Sequence, residues 1–327
     1  MKKRAFLAAA ASAWLASAAL APAAAQTWPD RPIKVIVPFA AGNVLDTALR
    51  QVGEEMKKTT GQNIVIDNKP GGAGIIAVQA LMQAPPDGYT LLLNNTSMLT
   101  INPFTFSKLP YDTDKSFKHV TGFLGSSLVL AVNAATVPPN NLKDFIAWAK
   151  PQGAAVSYAS FTAGNSSHFA GVILNQRAGL NMVHVPFNGT PPAVQNLVGG
   201  QVHAAFLPLT AVRPHVESGK VKVLAVSTPK RSPLMPNVPT FIEEGFADMN
   251  IYIWSGLSAP LATPDAVVQR VQAEFAKALK TQVIIDKWRE TDSEPLPFST
   301  PDFISFVHAD AKRWSEAVRI SGFKASE

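Results

Sequence analysis

The fold class is decided by one stretch near the start of the chain, Lys34-Val35-Ile36-Val37-Pro38-Phe39-Ala40-Ala41-Gly42-Asn43-Val44-Leu45-Asp46. Its first four residues are predicted to form a strand, and helical spacing follows from Ala48 to Lys58. The loop between them contains Gly42, which permits close backbone approach, and it ends at a helix start with unpaired N–H groups. This loop is a candidate anion site, although an ordinary strand-to-helix turn could contain the same residues.

The same order of strand and helix recurs along the chain. Strands are expected at residues 63–66 and 89–93, with a helix at 75–83 between them. A second series follows, with strands at 128–132, 156–159, 182–185, 204–206 and 221–226 and helices at 142–149, 166–177 and 193–198. The strands are apolar nearly throughout, which is typical of a parallel sheet covered on both faces. The sequence therefore predicts an α/β fold with right-handed crossovers.

Two α/β series followed by a mainly helical last third predict two lobes. Helices are expected at 267–279 and 301–318, the first with Thr263 as N-cap and Pro264 at the first helical position. The chain is expected to cross between the lobes near residues 126–128 and 252–256. Lobe 1 would then be discontinuous, with residues 26–127 and 253–327, and lobe 2 would contain residues 128–252.

The N-terminus has the features of a Sec-type signal peptide. Lys2, Lys3 and Arg4 precede an uncharged, Ala-rich run from Ala5 to Leu20, and Ala23-Ala24-Ala25 provides the small residues of a cleavage site. We expect residues 1–25 to be removed near Ala25 and the mature chain to reach the periplasm. An uncleaved membrane anchor is the alternative, but the run is short and Ala-rich for a membrane span.

Composition excludes several classes of protein. The 327 residues contain no cysteine, so disulfides, thiolate metal sites and cysteine nucleophiles are excluded. Lys and Arg number 29 against 23 Asp and Glu, and three of the basic residues belong to the predicted signal peptide. The remaining, well-mixed charge does not indicate a nucleic-acid partner, for which clustered Lys and Arg would be expected. A chain of this length can form two domains without disulfides.

Four loops carry the candidate ligand-binding residues. The loops at 38–46, 94–97, 160–168 and 186–190 each follow a predicted strand, and ligands of open α/β sheets bind beyond the carboxyl ends of strands. Loop 160–168 also opens a helix and therefore repeats the anion-site pattern. The predicted ligand-binding residues are Phe39, Ala40, Ala41, Gly42, Asn43, Asp46, Thr96, Ser97, Ser160, Thr162, Gly164, Asn165, Ser166, Phe187, Asn188 and Gly189.

Enzymatic motifs are missing from the sequence. It contains no Gly-x-Ser-x-Gly elbow, His-Glu-x-x-His, phosphate-binding Walker loop or Gly-x-Gly-x-x-Gly. Residues 72–77 fit a looser dinucleotide pattern, but Asn94-Asn95 stand where an acid is expected. We therefore predict no cofactor, no metal and no catalytic residue. A hydrolase that uses Ser160, Ser166 or Ser167 with His168 is an alternative, although a structural hydrogen bond is the better default for that histidine.

A series of short motifs follows the predicted signal peptide in a fixed order. They are Trp28-Pro29-Asp30-Arg31-Pro32-Ile33, Pro38 to Asp46, Asp67 to Gly74, Pro86 to Leu91, Ile101-Asn102-Pro103, Val185-Pro186-Phe187, Gly199 to Val202 and Ala259-Pro260. In these motifs and their order the chain resembles the substrate-binding proteins of tripartite tricarboxylate transporters, the Bug/TctC family. The resemblance implies a two-lobed type II periplasmic-binding-protein fold (a Venus flytrap) that closes on a carboxylated ligand. It also implies binding loops at 40–46, 96–97, 160–167 and 187–189.

The sequence departs from the family pattern at a few positions. Gly42-Asn43 stands where the family usually has Gly-Gly, and Asn188 stands where lysine is common. His203 and Leu207 occupy positions at which acidic residues are common. These departures affect the choice of ligand more than the fold.

The expected function is that of a periplasmic solute-binding protein. It would capture an aliphatic or aromatic mono- or dicarboxylate without an ammonium group and deliver it to the permease subunits of the transporter. We expect a monomer. The alternative is a periplasmic sensor subunit that presents its ligand to a signalling receptor.

Overall fold

The computed structural model describes residues 28–325 of the chain. The predicted signal peptide, residues 1–25, lies outside this range. Between residues 28 and 325 no helix has the length and apolar character needed to cross a membrane.

Strands and α-helices alternate along the described residues. The strands are β1 (Ile33–Val37), β2 (Ile64–Asn68), β3 (Thr90–Asn95), β4 (Phe117–Asn133), β5 (Ser157–Ser160), β6 (Val183–Pro186), β7 (Ala204–Pro208), β8 (Val221–Val226), β9 (Tyr252–Pro260) and β10 (Ser293–Pro295). The α-helices are α1 (Val44–Thr60), α2 (Ile75–Met82), α3 (Asn102–Thr105), α4 (Leu142–Ala149), α5 (Ser166–Ala178), α6 (Thr190–Val198), α7 (Leu209–Glu217), α8 (Asp265–Leu279), α9 (Gln282–Arg289) and α10 (Thr300–Ser321). A π-helical turn (Ser97–Ile101) leads into α3.

The strands form one mixed sheet in the order β2-β1-β3-β9-β4-β7-β5-β6, and β8 and β10 also pair with β4. Strand β4 is the element that joins the two ends of this sheet. Its residues Phe117–Ser127 pair with β9, whereas Leu128–Asn133 pair with β7 and β8. We call the sheet on the β9 side half-sheet 1 and the sheet on the β7 side half-sheet 2.

Helices cover both faces of each half-sheet, which explains why the strands are so uniformly apolar. In β1, Val35 packs into a cluster with Leu49 of α1, while Ile36 packs into a cluster with Val78 of α2 on the other face. In β7, Phe206 and Leu207 likewise belong to clusters on opposite faces. The α/β class predicted from the sequence is therefore confirmed. Parallel pairing holds for β2, β1 and β3 and for β7, β5 and β6. It was wrong for the strands predicted at 128–132 and 221–226, because these parts of β4 and β8 pair antiparallel.

The C-terminal helix α10 packs against both halves of the molecule. Phe303 near its start belongs to a cluster of half-sheet 1, and Trp314 near its end belongs to the main cluster of half-sheet 2. Both side chains are fully buried. The helix therefore bridges the two half-sheets behind the strands that join them.

Sequence periodicity missed part of the architecture. It did not identify the first eleven residues of β4, whose apolar positions are interrupted by Lys118, His119 and two glycines. It also missed α7, which contains Pro214, and the polar helix α9. The predicted N-cap of α8 was wrong by one residue, because Pro264 occupies the cap and the helix begins at Asp265.

Candidate functional site

A cavity of about 860 Å³ opens between the two half-sheets. Its wall contains loops that follow strands and also residues of the strands β4 and β9. It is formed by residues 38–40, 44–45, 70–71, 73–74, 95–97, 102, 105–106, 124, 126–127, 161–166, 208–210, 253–255 and 291–293, together with Phe323 and Ala325.

Half of the predicted ligand-binding residues line this cavity. The lining residues are Phe39, Ala40, Thr96, Ser97, Thr162, Gly164, Asn165 and Ser166. The others lie nearby in the chain but outside the cavity wall: Ala41, Gly42, Asn43, Asp46, Ser160, Phe187, Asn188 and Gly189. The structure therefore brings together parts of three predicted loops and leaves the fourth, at 186–190, outside.

The start of α1 is already occupied by the chain's own side chains. Asn43 Oδ1 accepts hydrogen bonds from the N–H groups of Leu45 and Asp46 at 2.8 and 3.1 Å. The buried Asp46 carboxylate accepts the Gly42 N–H at 3.1 Å and pairs with Arg50. Burial opposes the ionisation of Asp46, but hydrogen bonds from Arg50 and Gly42 help to bring its pKa below the usual range. Most of the backbone N–H groups at this helix start therefore already donate hydrogen bonds within the chain.

The start of α5 is different because its first turn contains no acid. Asn165 Oδ1 caps the helix by accepting from the N–H groups of Ser167 and His168 at 3.0 and 3.1 Å. The Asn165 Nδ2 group, the Ser166 hydroxyl and the Ser166 N–H have no hydrogen-bond acceptor among the described residues. Asn165 and Ser166 both line the cavity. This helix start therefore offers hydrogen-bond donors and the positive end of a dipole without a competing carboxylate.

Gly164, just before this helix, requires the conformational freedom of glycine. Its φ is +73°, in the left-handed region, and a Cβ built there would lie 2.4 Å from the Phe323 ring. Its N–H donates to His168 Nδ1 at 3.2 Å. A side chain at this position would therefore displace either the loop or the C-terminal segment.

A buried network holds the floor of the cavity. Thr96 Oγ1 accepts the backbone N–H of Trp254 at 2.9 Å and donates to its carbonyl at 3.1 Å. The Trp254 indole N–H donates to Asp310 Oδ2 at 2.8 Å, and the same oxygen accepts from Trp314 at 2.9 Å and from Thr100 at 3.1 Å. Thr96 and Trp254 both line the cavity, so a carboxylate of α10 fixes its floor.

The histidine of the hydrolase alternative does not contact a serine hydroxyl. The ring of His168 stacks on His184, with centroids 3.8 Å apart, and burial lowers the pKa of His168 to about 3 and of His184 to about 4. The hydroxyl of Ser160 lies 2.7 Å from His184 Nε2, but neither residue lines the cavity. The hydrolase alternative needs a hydrogen bond between His168 and the hydroxyl of Ser160, Ser166 or Ser167, and the structure contains no such bond between these described residues.

Asp292 is the only ionisable side chain among the residues that line the cavity. It was not predicted, and nor were the apolar side chains of Phe106, Ile253 and Phe323 in the same wall. Thr210 also lines the cavity and follows β7. The rule that selected the other loops, the carboxyl end of a strand, could have identified Thr210. No local sequence signal marks Asp292.

The chain matches the family model described as the tripartite tricarboxylate transporter family receptor over residues 48–323. The chain belongs to this family. Bordetella pertussis protein BugT is 30% identical over 93% of this chain and 93% of its own length. The resemblance identified from the sequence motifs is therefore confirmed.

Solved structures of family members share this receptor's fold. The periplasmic binding protein BugD aligns with a TM-score of 0.74 at 30% identity, covering 91% of this chain and 100% of its own. R. palustris Rpa4515 with adipate aligns with a TM-score of 0.78 at 28% identity, over 91% and 99% of the two chains. MatC from Rhodopseudomonas palustris with bound malate aligns with a TM-score of 0.73 at 30% identity, over 89% and 100%. The predicted periplasmic-binding-protein fold is confirmed.

The relatives are substrate-binding proteins rather than enzymes, and two of them are described with a carboxylate bound. Within residues 28–325 no group of three or more His, Asp or Glu side chains is arranged to hold a metal ion. The comparisons therefore place this chain among substrate-binding proteins of the periplasmic type.

Proposed function

We propose that this chain is a periplasmic solute-binding protein that captures a small carboxylate and delivers it to the permease subunits of a tripartite tricarboxylate transporter. The observation that carries the proposal is the start of α5. There, unpaired donors of Asn165 and Ser166 line a large cavity in a chain whose family binds carboxylates. The relatives described with adipate and malate support the same ligand class.

The carboxylate of the ligand would lie at the start of α5. The Ser166 N–H, the Ser166 hydroxyl and Asn165 Nδ2 can each donate to it, and charge-assisted hydrogen bonds contribute about 1.5–3 kcal/mol each. The helix dipole adds up to about 2 kcal/mol when the site is partly buried. These contributions are of the size that a micromolar binder, at roughly −8 kcal/mol, requires once association costs are included.

The body of the ligand would pack on the apolar part of the wall. Phe39, Val44, Phe106, Leu209 and Ile253 all line the cavity. Val44 is unusually exposed for an aliphatic side chain, at 65%. Covering it with a hydrocarbon chain or an aromatic ring would contribute about 25 cal/mol for each Å² removed from water. We propose the eight predicted residues that line the cavity as ligand contacts.

Ligand binding would close two lobes about the strands that join them. We propose lobe 1 as residues 26–127 and 253–327 and lobe 2 as residues 128–252. The change of strand partners between Ser127 and Leu128 of β4 supports the first boundary. We further propose that residues 1–25 are a signal peptide removed on export. We also propose that the mature protein is a monomer, since residues of a single chain form the whole cavity wall.

A thermal-shift screen of the mature chain, residues 26–327, tests this function. Each carboxylic acid is paired with its primary amide, which has the same shape without the charge. At ~100 times the dissociation constant a ligand adds about 2.7 kcal/mol of stability, so a binding acid should raise the melting temperature by several degrees. The amides should leave it unchanged. A screen in which sugars or diamines stabilise the protein and no acid does would contradict the proposal.

A pair of serine variants locates the site. Ser166→Ala removes one donor at the start of α5 and should weaken binding of the best acid by about tenfold, equal to about 1.4 kcal/mol. Ser305→Ala is the matched control, because Ser305 is an exposed residue of α10 whose hydroxyl donates only to the Pro301 carbonyl. Equal affinities of the two variants would place the carboxylate elsewhere.

A further inference from the structure

Asp292 occupies an unusual backbone position in the wall of the cavity. It lies between α9 and β10 and has a φ of +50°, in the left-handed region that favours glycine. Among the non-glycine residues at 28–325, only Ala73 shares a positive φ. Asp292 therefore carries a side chain at a position where glycine would avoid strain, and backbone strain of this kind clusters at binding and active sites.

The Asp292 carboxylate is held in place from two sides. It accepts hydrogen bonds from the hydroxyls of Ser127, on β4, and Ser232, in the loop after β8. It forms no ion pair with another described residue. Hydroxyl dipoles orient the carboxylate, but no cation neutralises its charge.

The charged side chains near Asp292 line a second, neighbouring cavity. This second cavity of about 430 Å³, which Asp292 also lines, is bordered by Lys230, Arg231, Lys280, Arg289 and Glu294. None of these five residues lines the first cavity. Within the described residues the first cavity therefore has one fixed charge, a negative one, and no Lys, Arg or His in its wall.

Helix starts border the first cavity at α1, α5 and α7, and they are not equivalent. The start of α1 already carries Asp46, whose carboxylate is hydrogen-bonded to the Gly42 N–H. The starts of α5 and α7 carry no acid in the first turn, and Ser166 and Thr210 from these two starts line the cavity. None of the three starts brings a Lys, Arg or His side chain into the cavity wall.

We propose that Asp292 is a specificity-determining residue that makes the cavity favour a ligand with a single carboxylate and an uncharged body over the dicarboxylate of the same length. The inference rests on the proposed function and narrows its ligand class. A second ionised group would enter a largely apolar cavity where repulsion by Asp292 is weakly screened and no cation compensates it. A ligand with two negative charges meets about twice the repulsion of a ligand with one.

Calorimetric titration of chain-matched acids tests the inference. The pairs are hexanoate with adipate, octanoate with suberate, and 4-methylbenzoate with terephthalate. The readout is the ratio of the two dissociation constants within a pair. Wild-type protein should bind the monocarboxylate of at least one pair about tenfold more tightly than its dicarboxylate. Asp292→Asn removes the charge, keeps one acceptor oxygen for one of the two serines and can donate its amide N–H to the other serine hydroxyl. It should reduce that ratio by about tenfold.

Glu294→Gln is the matched control for charge. Glu294 lies two residues along the same segment, is exposed, and lines only the second cavity. Its removal should leave the ratio within about twofold of wild type, whereas a general effect of net charge would change both variants alike. Melting curves of the variants verify that each is folded.

Three outcomes would overturn the inference. They are equal or tighter wild-type binding of the dicarboxylates, an unchanged ratio in Asp292→Asn, and failure of all six acids to bind. The proposed function fails separately, since it requires only that some acid in the wider screen stabilises the protein. If hydroxy acids or tricarboxylates bind and the six test acids do not, the proposed function stands and the role of Asp292 is wrong.

Discussion

Replacing Asp310 by alanine should destabilise the protein strongly, because one carboxylate oxygen is the acceptor for two buried indole N–H groups. Oδ2 of Asp310 accepts the indole N–H groups of Trp254 and Trp314, whereas the nearby Thr100 hydroxyl also has the Thr96 carbonyl as an acceptor at 2.7 Å. Both tryptophans are almost completely buried, at 1% and 0% exposure, so water cannot replace the lost acceptor. Each buried donor without a partner costs about 1–3 kcal/mol.

The expected loss of stability is smaller than the summed cost of leaving both indole N–H groups without an acceptor. Burial raises the pKa of Asp310 despite the nearby Arg313 and the three hydrogen bonds, so the ionised carboxylate itself is costly to bury. Removing it recovers part of that cost. We therefore expect Asp310→Ala to lower the free energy of unfolding by about 2–4 kcal/mol, and Asp310→Asn, which keeps one acceptor oxygen, by about 1 kcal/mol.

Urea denaturation followed by circular dichroism measures these losses. Glu316→Ala is the control on the same helix, because Glu316 is an exposed acid that pairs only with Arg319 and should change the stability by less than about 0.5 kcal/mol. Asp310→Ala should also weaken ligand binding, since Trp254 lines the cavity. A loss in Asp310→Ala no larger than in Glu316→Ala would refute the argument that the buried indoles depend on this carboxylate.

Four further predictions test other parts of the account. Small-angle scattering should give a smaller radius of gyration with saturating ligand than without it, and an unchanged profile would argue against lobe closure. N-terminal sequencing of the exported protein should begin at Gln26 or within a few residues, and full-length chain in the membrane fraction would contradict cleavage. Gly164→Ala should lower the free energy of unfolding by at least about 1–2 kcal/mol, the strain of a left-handed alanine, and should weaken ligand binding; wild-type affinity would show that the loop tolerates the contact with Phe323. Burial raises the pKa of Asp292, so the contribution of this group to stability is present at low pH and is lost as the pH rises through that pKa. The stability of Asp292→Asn relative to wild type should therefore increase between about pH 3 and about pH 7, and a constant difference would contradict the burial argument.

The fold could be predicted largely from residues that are adjacent in the sequence. The apolar run of β1, followed by Gly42 and a helical repeat, predicts a βα unit because the same few residues determine strand, turn and helix. The first half of β4 could not be predicted this way. It pairs with β9, more than a hundred residues later, and Gly122 and Gly125 in it pack closely against Leu296, a contact that only the folded chain creates.

The candidate site likewise contains residues that could be predicted from the sequence and one that could not. Phe39, Asn165 and Ser166 line the cavity and were selected because loops at the carboxyl ends of strands meet at one edge of a sheet. Asp292 could not be selected, since its partners Ser127 and Ser232 lie 165 and 60 residues away in the sequence. The sequence also does not indicate its left-handed backbone conformation, because the residue is not a glycine. The resemblance to the family is the basis of the proposed ligand class, and the structure adds Asp292 as the one ionisable side chain that lines the cavity within residues 28–325.

A crystal structure of the mature protein with its best carboxylate is the most direct test of the central claim. The account predicts that the carboxylate oxygens lie within hydrogen-bonding distance of the Ser166 N–H and hydroxyl and of Asn165 Nδ2. The body of the ligand should lie against the apolar wall, away from Asp292. A carboxylate bound in the second cavity, or one held at the start of α1 with the start of α5 unoccupied, would contradict it.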